Sequence, residues 1–332
     1  NLLHRAAGRP AGPWLDVQTR DFNFDGNPEV AVATDRLAAF FQPATGGQLY
    51  ELDVRAISHN LLATLARRPE AYHEKVLRGA GHSQGDVASI HDRVVFKQEG
   101  LENMVQHDRY LRKALQDHFF DAHTTLDAVA SGTATEEGDF VDGRYRAEVT
   151  ETRDGATVNL VRQGVAGGYE LTLAKSISLA PGASALEITY HLEGLPPDRP
   201  LHFAIEFNFA GLPDGTDDRY YYDADRHVLG QLGAWLDLRS VPGVGLIDEW
   251  LGVDIGLSCN RPTDVWTFPI HSVSQSEGGF EAVHQSVVVM PHWRIQGDAQ
   301  GRWGVSLTLS LDTSLAERRQ QPAELAAVAS QA

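Results

Sequence analysis

Past about residue 138 apolar side chains recur at every second position, in one short run after another. A strand with one buried face has that period, because successive side chains point to opposite sides of a sheet. The runs are Tyr145–Thr150, Thr157–Gln163, Tyr169–Leu179, Ala185–His191, Leu201–Phe209, Ser272–Ser276, Ala282–Val289 and Gly304–Leu311. Turn residues part them at short intervals, Asp154-Gly155 and Pro181-Gly182 among them. Many short strands joined in this way predict a large antiparallel sandwich. No repeat period emerges.

Ahead of these runs, Glu29 to Phe41 reads as two short strands with Thr34-Asp35 as the turn between them. Pro43-Ala44-Thr45-Gly46-Gly47 is a second turn, and Gln48–Asp53 alternates like a strand with one wet face. From about Ile57 to Leu77 the period changes. Ile57, Leu61, Leu62, Leu65, Tyr72 and Val76 fall on a helical stripe, which Pro69 should interrupt. Leu101 to Phe120 carries a weaker helical pattern, where His107-Asp108 is either an oriented acid–base pair or two solvated helix residues. The tail after about Thr313 is rich in Ala, Gln and Glu and is expected to fray or form a loose helix. The pattern as a whole predicts a mainly β chain with one or two helical segments in its N-terminal third.

Composition narrows the partners. At 332 residues and 42% hydrophobic, the chain can bury a substantial core. Its net charge of −17 repels phosphate backbones and anionic lipid, so neither nucleic acid nor a membrane surface is an expected partner. No apolar run approaches the roughly 18–20 residues of a membrane-spanning helix, and no signal peptide is visible. The single Cys259 excludes an internal disulfide, which fits a reducing cytoplasm, the expected location. Asn1-Leu2-Leu3-His4 reads like the end of a helix and Arg9-Pro10-Ala11-Gly12-Pro13 like a linker, so a preceding segment is expected.

Four stretches carry candidate chemistry. In Asp21-Phe22-Asn23-Phe24-Asp25-Gly26-Asn27-Pro28-Glu29, oxygen-bearing side chains alternate, then a glycine, then a carboxylate follow. A hard cation such as Ca²⁺ wants that convergence of oxygens, and Asp21, Asn23, Asp25 and Glu29 are its candidate ligands. The match to an EF-hand is partial, since Val32 stands where the last ligand would be. An Asx-rich turn leading into a strand is the plainer reading. In Leu201–Phe209 the odd positions form a core face, while His202, Glu206 and Asn208 share the other face beside small Ala204 and Ala210. That face is either a groove for sugar hydroxyls or an ordinary polar outer surface. Trp266, Gln275 and Glu277 head a second constellation, with a ring for sugar C–H edges and polar groups for hydroxyls, or a core aromatic with a polar turn. Arg67, Arg68, Glu70, Tyr72 and His73 crowd into seven residues and can hold hydroxylated or anionic groups, or form an interdomain ion-pair network, the reading adopted here.

Phosphate-binding and dinucleotide fingerprints, H-E-x-x-H, a Cys-based zinc site and G-x-S-x-G are all absent from the sequence. What is present, in order, is D-F-N-F-D-G-N-P-E-V, P-A-T-G-G-Q-L-Y-E-L-D, R-R-P-E-A-Y-H, S-I-H-D, Q-D-H-F and W-T-F-P-I…V-S-Q-S-E-G-G-F-E…H-Q. Together these resemble the C-terminal region of the α-amylase/4-α-glucanotransferase group of glycoside hydrolase family 57, over about residues 19–312. The resemblance implies a galactose mutarotase-like supersandwich that follows an N-terminal barrel, and a retaining enzyme acting on α-glucan or maltooligosaccharide. In that family the catalytic carboxylates belong to the barrel, so no catalytic residue carries over to this chain. The expected division is a linker over 1–18, a supersandwich over 19–314 and a frayed tail over 315–332. The expected role is a non-catalytic domain that supports the barrel and contacts glucan. One alternative is a free-standing sugar mutarotase with Glu206 as base and His202 or His91 as acid. Another is a plain carbohydrate-binding module.

Overall fold

The computed structural model describes residues 12–78 and 96–320. The first sheet is an antiparallel meander of β1 (Leu15–Arg20), β2 (Glu29–Thr34), β3 (Leu37–Gln42), β4 (Gln48–Val54) and the short β5 (His59–Asn60). Thr34 and Asp35 form the β2–β3 turn as expected, with the Thr34 hydroxyl accepting from the Arg36 and Leu37 amides. The Gly46 turn is also where the pattern put it. Its φ is +66°, and a Cβ there would sit 2.1 Å from the Val141 carbonyl oxygen, so only glycine fits. The domain begins earlier than expected, because β1 starts at Leu15 and pairs with β2 along its whole length.

The second sheet holds the remaining strands: β6 (Gln116–Phe120), β7 (Arg146–Glu151), β8 (Ala156–Ala166), β9 (Tyr169–Leu179), β10 (Ala185–Glu193), β11 (Leu201–Ala210), β12 (Arg219–Tyr222), β13 (Val228–Gln231), β14 (Leu236–Asp248), β15 (Val253–Ser276), β16 (Gly279–Ile295) and β17 (Trp303–Asp312). Its path runs β13-β12-β14-β15-β17-β10-β9-β8-β7, and a branch leaves β15 through β16 and β11 to β6. The long β15 makes the fork possible: its start pairs with β17 and its end with β16. Phe203, Ile205, Phe207 and Phe209 of β11 share one buried core with Leu173 and Ile177 of β9, Ile188 of β10 and Leu309 of β17. The two branches are therefore facing layers of a sandwich, and the expected antiparallel supersandwich is what forms. Between the layers Asp117 is fully buried, paired with Lys175 at 2.7 Å and accepting from the Tyr145 and Tyr190 hydroxyls.

Both long helical patterns fail, for a shared reason. The expected helix over 57–77 shrinks to α1 (His73–Arg78) after a 3-10 turn at Arg55–Ile57. Leu61 donates its amide to the Leu52 carbonyl and accepts from the Ala210 amide, so its backbone is spent bridging two sheets. In the second pattern only α2 (Leu101–Met104) is helical. Ala114 exchanges both backbone hydrogen bonds with Leu49, and β6 pairs with β11 from His202↔Phe120 to Glu206↔Gln116. Long-range backbone pairing overrides local period in each case. Residues 314–320 of the tail are helical, one of the two outcomes expected there. Glu317 there pairs with Arg36 at 2.6 Å.

Candidate functional site

β11 is the strand on which most of the candidate chemistry was placed, and all ten of its residues are buried. The odd positions face the core, as expected. The other face is not an open groove. Segment 106–114 and α3 (Leu126–Ala130) with its flanking loops cover it, so Ala204 and Ala210 mark close packing rather than access. Glu206 lies at the centre of the covered face and is fully buried. Its Oε1 accepts from Arg112 at 2.9 Å and Asn208 at 2.6 Å, and its Oε2 from the Tyr110 hydroxyl at 2.9 Å and His118 at 3.1 Å. His118 in turn meets Glu136 at 2.8 Å. Arg112 also donates to Asp108, which takes a bidentate grip from Arg67.

Burial alone would raise the Glu206 carboxyl, but the Arg112 charge and the His118 and Asn208 bonds outweigh it and hold the group well below the usual carboxylate range. Burial would likewise strip the proton from His118. Glu136 and Glu206 reverse that and push its pKa up to about 9. A cavity of about 190 Å³ adjoins the network, lined by Tyr110, His118, Phe120, Val129 and Glu136 among others. A carboxylate that stays ionised beside an imidazolium that stays charged is an ion-pair lock. It has no group poised to exchange a proton near neutrality.

This geometry corrects the mutarotase assignment. Glu206 meets His118, not His202, and the pairing ties up both carboxylate oxygens. His202 turns the other way. Its Nε2 lies 3.0 Å from His292 Nδ1, the Trp266 ring packs on His292 at 3.9 Å between centroids, and burial first, then Arg294, drive the His202 pKa down to about 4. His91 lies outside the described residues.

The other carbohydrate candidates divide. Trp266 is buried with its indole N–H on Asp237, so it offers no face to a sugar. Asn208 is fully buried between Glu206 and the Lys113 carbonyl. Gln275 and Glu277 are exposed at the β15–β16 hairpin end, away from the buried four. Of the segment read as interdomain, Arg67, Tyr72 and His73 turn inward. Arg67 holds Asp108, while Tyr72 and His73 both reach the Val273 carbonyl. Arg68 and Glu70 stay exposed.

In the Asp21 loop three of the four candidate ligands converge. Asp21, Asp25 and Glu29 bring carboxylate oxygens within 4.8 Å of one another. Glu29 is 1% exposed; its Oε2 accepts from the Phe22 and Asn23 amides, and its Oε1 has no hydrogen-bond partner. Asn23 accepts from the Asp25 amide and donates to its carboxylate.

The sequence places Asp108, Arg112 and His118 inside the weaker helical pattern over 101–120 and pairs none of them with Glu206, and it does not single out Tyr110 or Glu136. The signal available was a run of alternating charge, Asp108, Arg112, Asp117 and His118, ending in Phe119-Phe120. Charged side chains that run straight into a pair of core aromatics are almost never fully buried unless they are paired.

Comparisons with known proteins agree with the fold and narrow the family. The chain is 28% identical over 294 residues to alpha-amylase 1 of Dictyoglomus thermophilum, covering 86% of this chain and 40% of that one. It is 28% identical over 284 residues to a 4-alpha-glucanotransferase of Thermococcus kodakarensis, covering 85% and 39%. The crystal structure of the 4-alpha-glucanotransferase from Thermococcus litoralis superposes with a TM-score of 0.69 at 23% identity, over 90% of this chain and 39% of that one. Galactose 1-epimerase from Lactobacillus acidophilus shares the fold at a TM-score of 0.50 and 11% identity, over 90% and 99%. The chain thus spans about two fifths of the length of the glucan-enzyme relatives it matches. The family profile described as "Alpha-amylase/4-alpha-glucanotransferase, C-terminal" matches residues 21–307, and the chain belongs to that family.

Proposed function

We propose that this chain is the non-catalytic C-terminal sandwich of a retaining enzyme that acts on α-glucan, of the α-amylase or 4-α-glucanotransferase type. The observation that carries this reading is the family match across 21–307 combined with a span of about two fifths of each relative. The ion-pair lock at Glu206 supports it, because the buried carboxylate best placed for proton transfer is committed to holding segment 106–114 on the sheet. The chemistry then belongs to a barrel on a preceding segment. Arg68 and Glu70, with Leu65 and Leu77 (65% and 57% exposed), form the face offered to it. Purified chain incubated with maltooligosaccharide is expected to give no turnover; measurable hydrolysis or transfer overturns the reading.

Contact with glucan falls to the exposed Gln275 and Glu277 and to an open groove of about 790 Å³ lined by Asn260, Gln296, Arg302 and Trp303. Retardation in starch-containing gels measures it, and a plain carbohydrate-binding module differs only in keeping that affinity by itself. Ca²⁺ on Asp21, Asn23, Asp25 and Glu29 completes the proposal. The buried, unpartnered Glu29 Oε1 supports it, since an ion would supply the partner that oxygen lacks. Such an ion stabilises by mass action, about 2.7 kcal/mol at a hundredfold excess over Kd. A melting midpoint unmoved by Ca²⁺ or chelator overturns it.

A further inference from the structure

His271 on β15 and His284 on β16 are cross-strand partners, at the point where the register of this pair shifts after Ile270. Direct partners hold their Cβ atoms about 4.5–5.5 Å apart, so two imidazoles there are side by side by construction. Their rings meet edge to face with centroids 5.3 Å apart. Asp214, in the loop after β11, arrives at the same point. Its Oδ2 lies 2.9 Å from His271 Nε2 and 3.4 Å from His284 Nδ1. The loop has little room to withdraw. Leu212 is buried in the core, and a Cβ added at Gly233 would come within 3.1 Å of the Asp214 Cβ.

An ordinary His–Asp ion pair accounts for His271. It accounts poorly for His284, whose side chain is 10% exposed and whose ring nitrogens make no well-formed hydrogen bond, Nδ1 standing 3.4 Å from the oxygen it shares with His271. A buried polar group left unpaired costs about 1–3 kcal/mol, so few persist without a reason.

We propose that Asp214 Oδ2, His271 Nε2 and His284 Nδ1 bind a divalent transition-metal ion of the zinc class. Bonds of about 2.0–2.1 Å in tetrahedral geometry set donor atoms about 3.3 Å apart. The observed 2.9 and 3.4 Å need only small adjustments. Two imidazoles with one carboxylate select Zn²⁺ over Ca²⁺, which prefers all-oxygen sites such as the Asp21 loop. His271 and Asp214 are 23% and 27% exposed, which gives the ion a way in and a fourth position for water or a ligand atom. The metal gives His284 the partner it lacks and pins the Asp214 loop to the β15–β16 hairpin. This site stands independently of the glucan reading.

The test uses the chain stripped with chelator and then titrated with ZnCl₂ by calorimetry, with metal content measured after gel filtration. The expected result is one equivalent of zinc, weakened at least about tenfold in each of H271Q, H284Q and D214N. H227Q, in the exposed Asp223–Asp225–His227 turn, retains the affinity of the unmodified chain. Co²⁺ in place of zinc gives the intense visible absorption of a tetrahedral site, and H271Q abolishes it. If H284Q fails to fold, the more exposed His271 variant and the Co²⁺ spectrum still decide the matter. The proposal is overturned if the stripped chain takes up no zinc on titration, if H271Q binds as tightly as the unmodified chain, or if H227Q is the variant that loses the ion.

Discussion

Near the centre of the covered face of β11, His118 sits between the carboxylates of Glu136 and Glu206; toward its start, His202 sits against His292 and Trp266 with Arg294 nearby. Both imidazoles are 1% exposed. The first is pushed up to about 9 and the second down to about 4. Depth is the same, so depth does not set the charge. Carboxylates within hydrogen-bond reach keep one ring charged, while burial, with Arg294 adding to it, keeps the other neutral. The charged region clamps a loop to the sheet. The neutral region behaves as aromatic core, with the His292 ring tilted against Trp266 at 3.9 Å between centroids.

Arg112→Met tests the charged region most directly, and has the largest expected effect. Arg112 is the cation shared by Glu206 and Asp108. Removing one partner of a buried pair leaves an uncompensated charge and costs about 3–5 kcal/mol. Urea denaturation should show that loss, and a change under about 1 kcal/mol would mean the network is not load-sharing as described.

The two regions respond to pH in opposite directions, and the alkaline response is the next largest. His118 has a folded pKa of about 9 against 6.5 in the unfolded chain, so its contribution is fully present below 6.5 and is lost as pH rises through 9. That difference corresponds to on the order of 3 kcal/mol. His118→Gln should flatten stability between those limits. His202 and His292 work the other way. Their folded pKa values of about 4 and 2 lie below 6.5, so the unfolded chain takes up protons first, and stability falls as pH drops below 6.5. His292→Met should remove its share of that acid slope, on the order of 3 kcal/mol by pH 4. Parallel slopes in both variants would contradict the comparison.

Much of the fold was legible because strand period is local. The runs from Tyr145 to Leu311 each found a partner, and the turns at Thr34-Asp35 and Gly46 fell where turn residues put them. What was not legible depends on contacts between distant segments. Nothing local marks Leu61 as a bridge between Leu52 and Ala210, or says that Tyr110 and Arg112 will close over β11. The polar face of β11 was correctly identified as His202, Glu206 and Asn208, yet alternation alone cannot tell a wet face from one covered by another part of the chain. For the same reason nothing local pairs His271 with His284, since their meeting requires the β15–β16 register.

The smallest expected effect marks where the charged region stops. Arg67 and Arg68 are neighbours with the same guanidinium, but Arg67 is buried on Asp108 and so belongs to the Glu206 network through Arg112, while Arg68 is exposed. Exposed substitutions away from special features change stability by within about 0.5 kcal/mol. Arg68→Ala should therefore leave the melting midpoint of this chain almost unmoved, while Arg67→Ala lowers it clearly by leaving Asp108 short of a partner. If Arg68→Ala proved as costly as Arg67→Ala, Arg68 would have to be held by this domain. The surface proposed for the barrel would then be part of the lock instead, and the boundary drawn between the inward and outward halves of this segment would be in the wrong place.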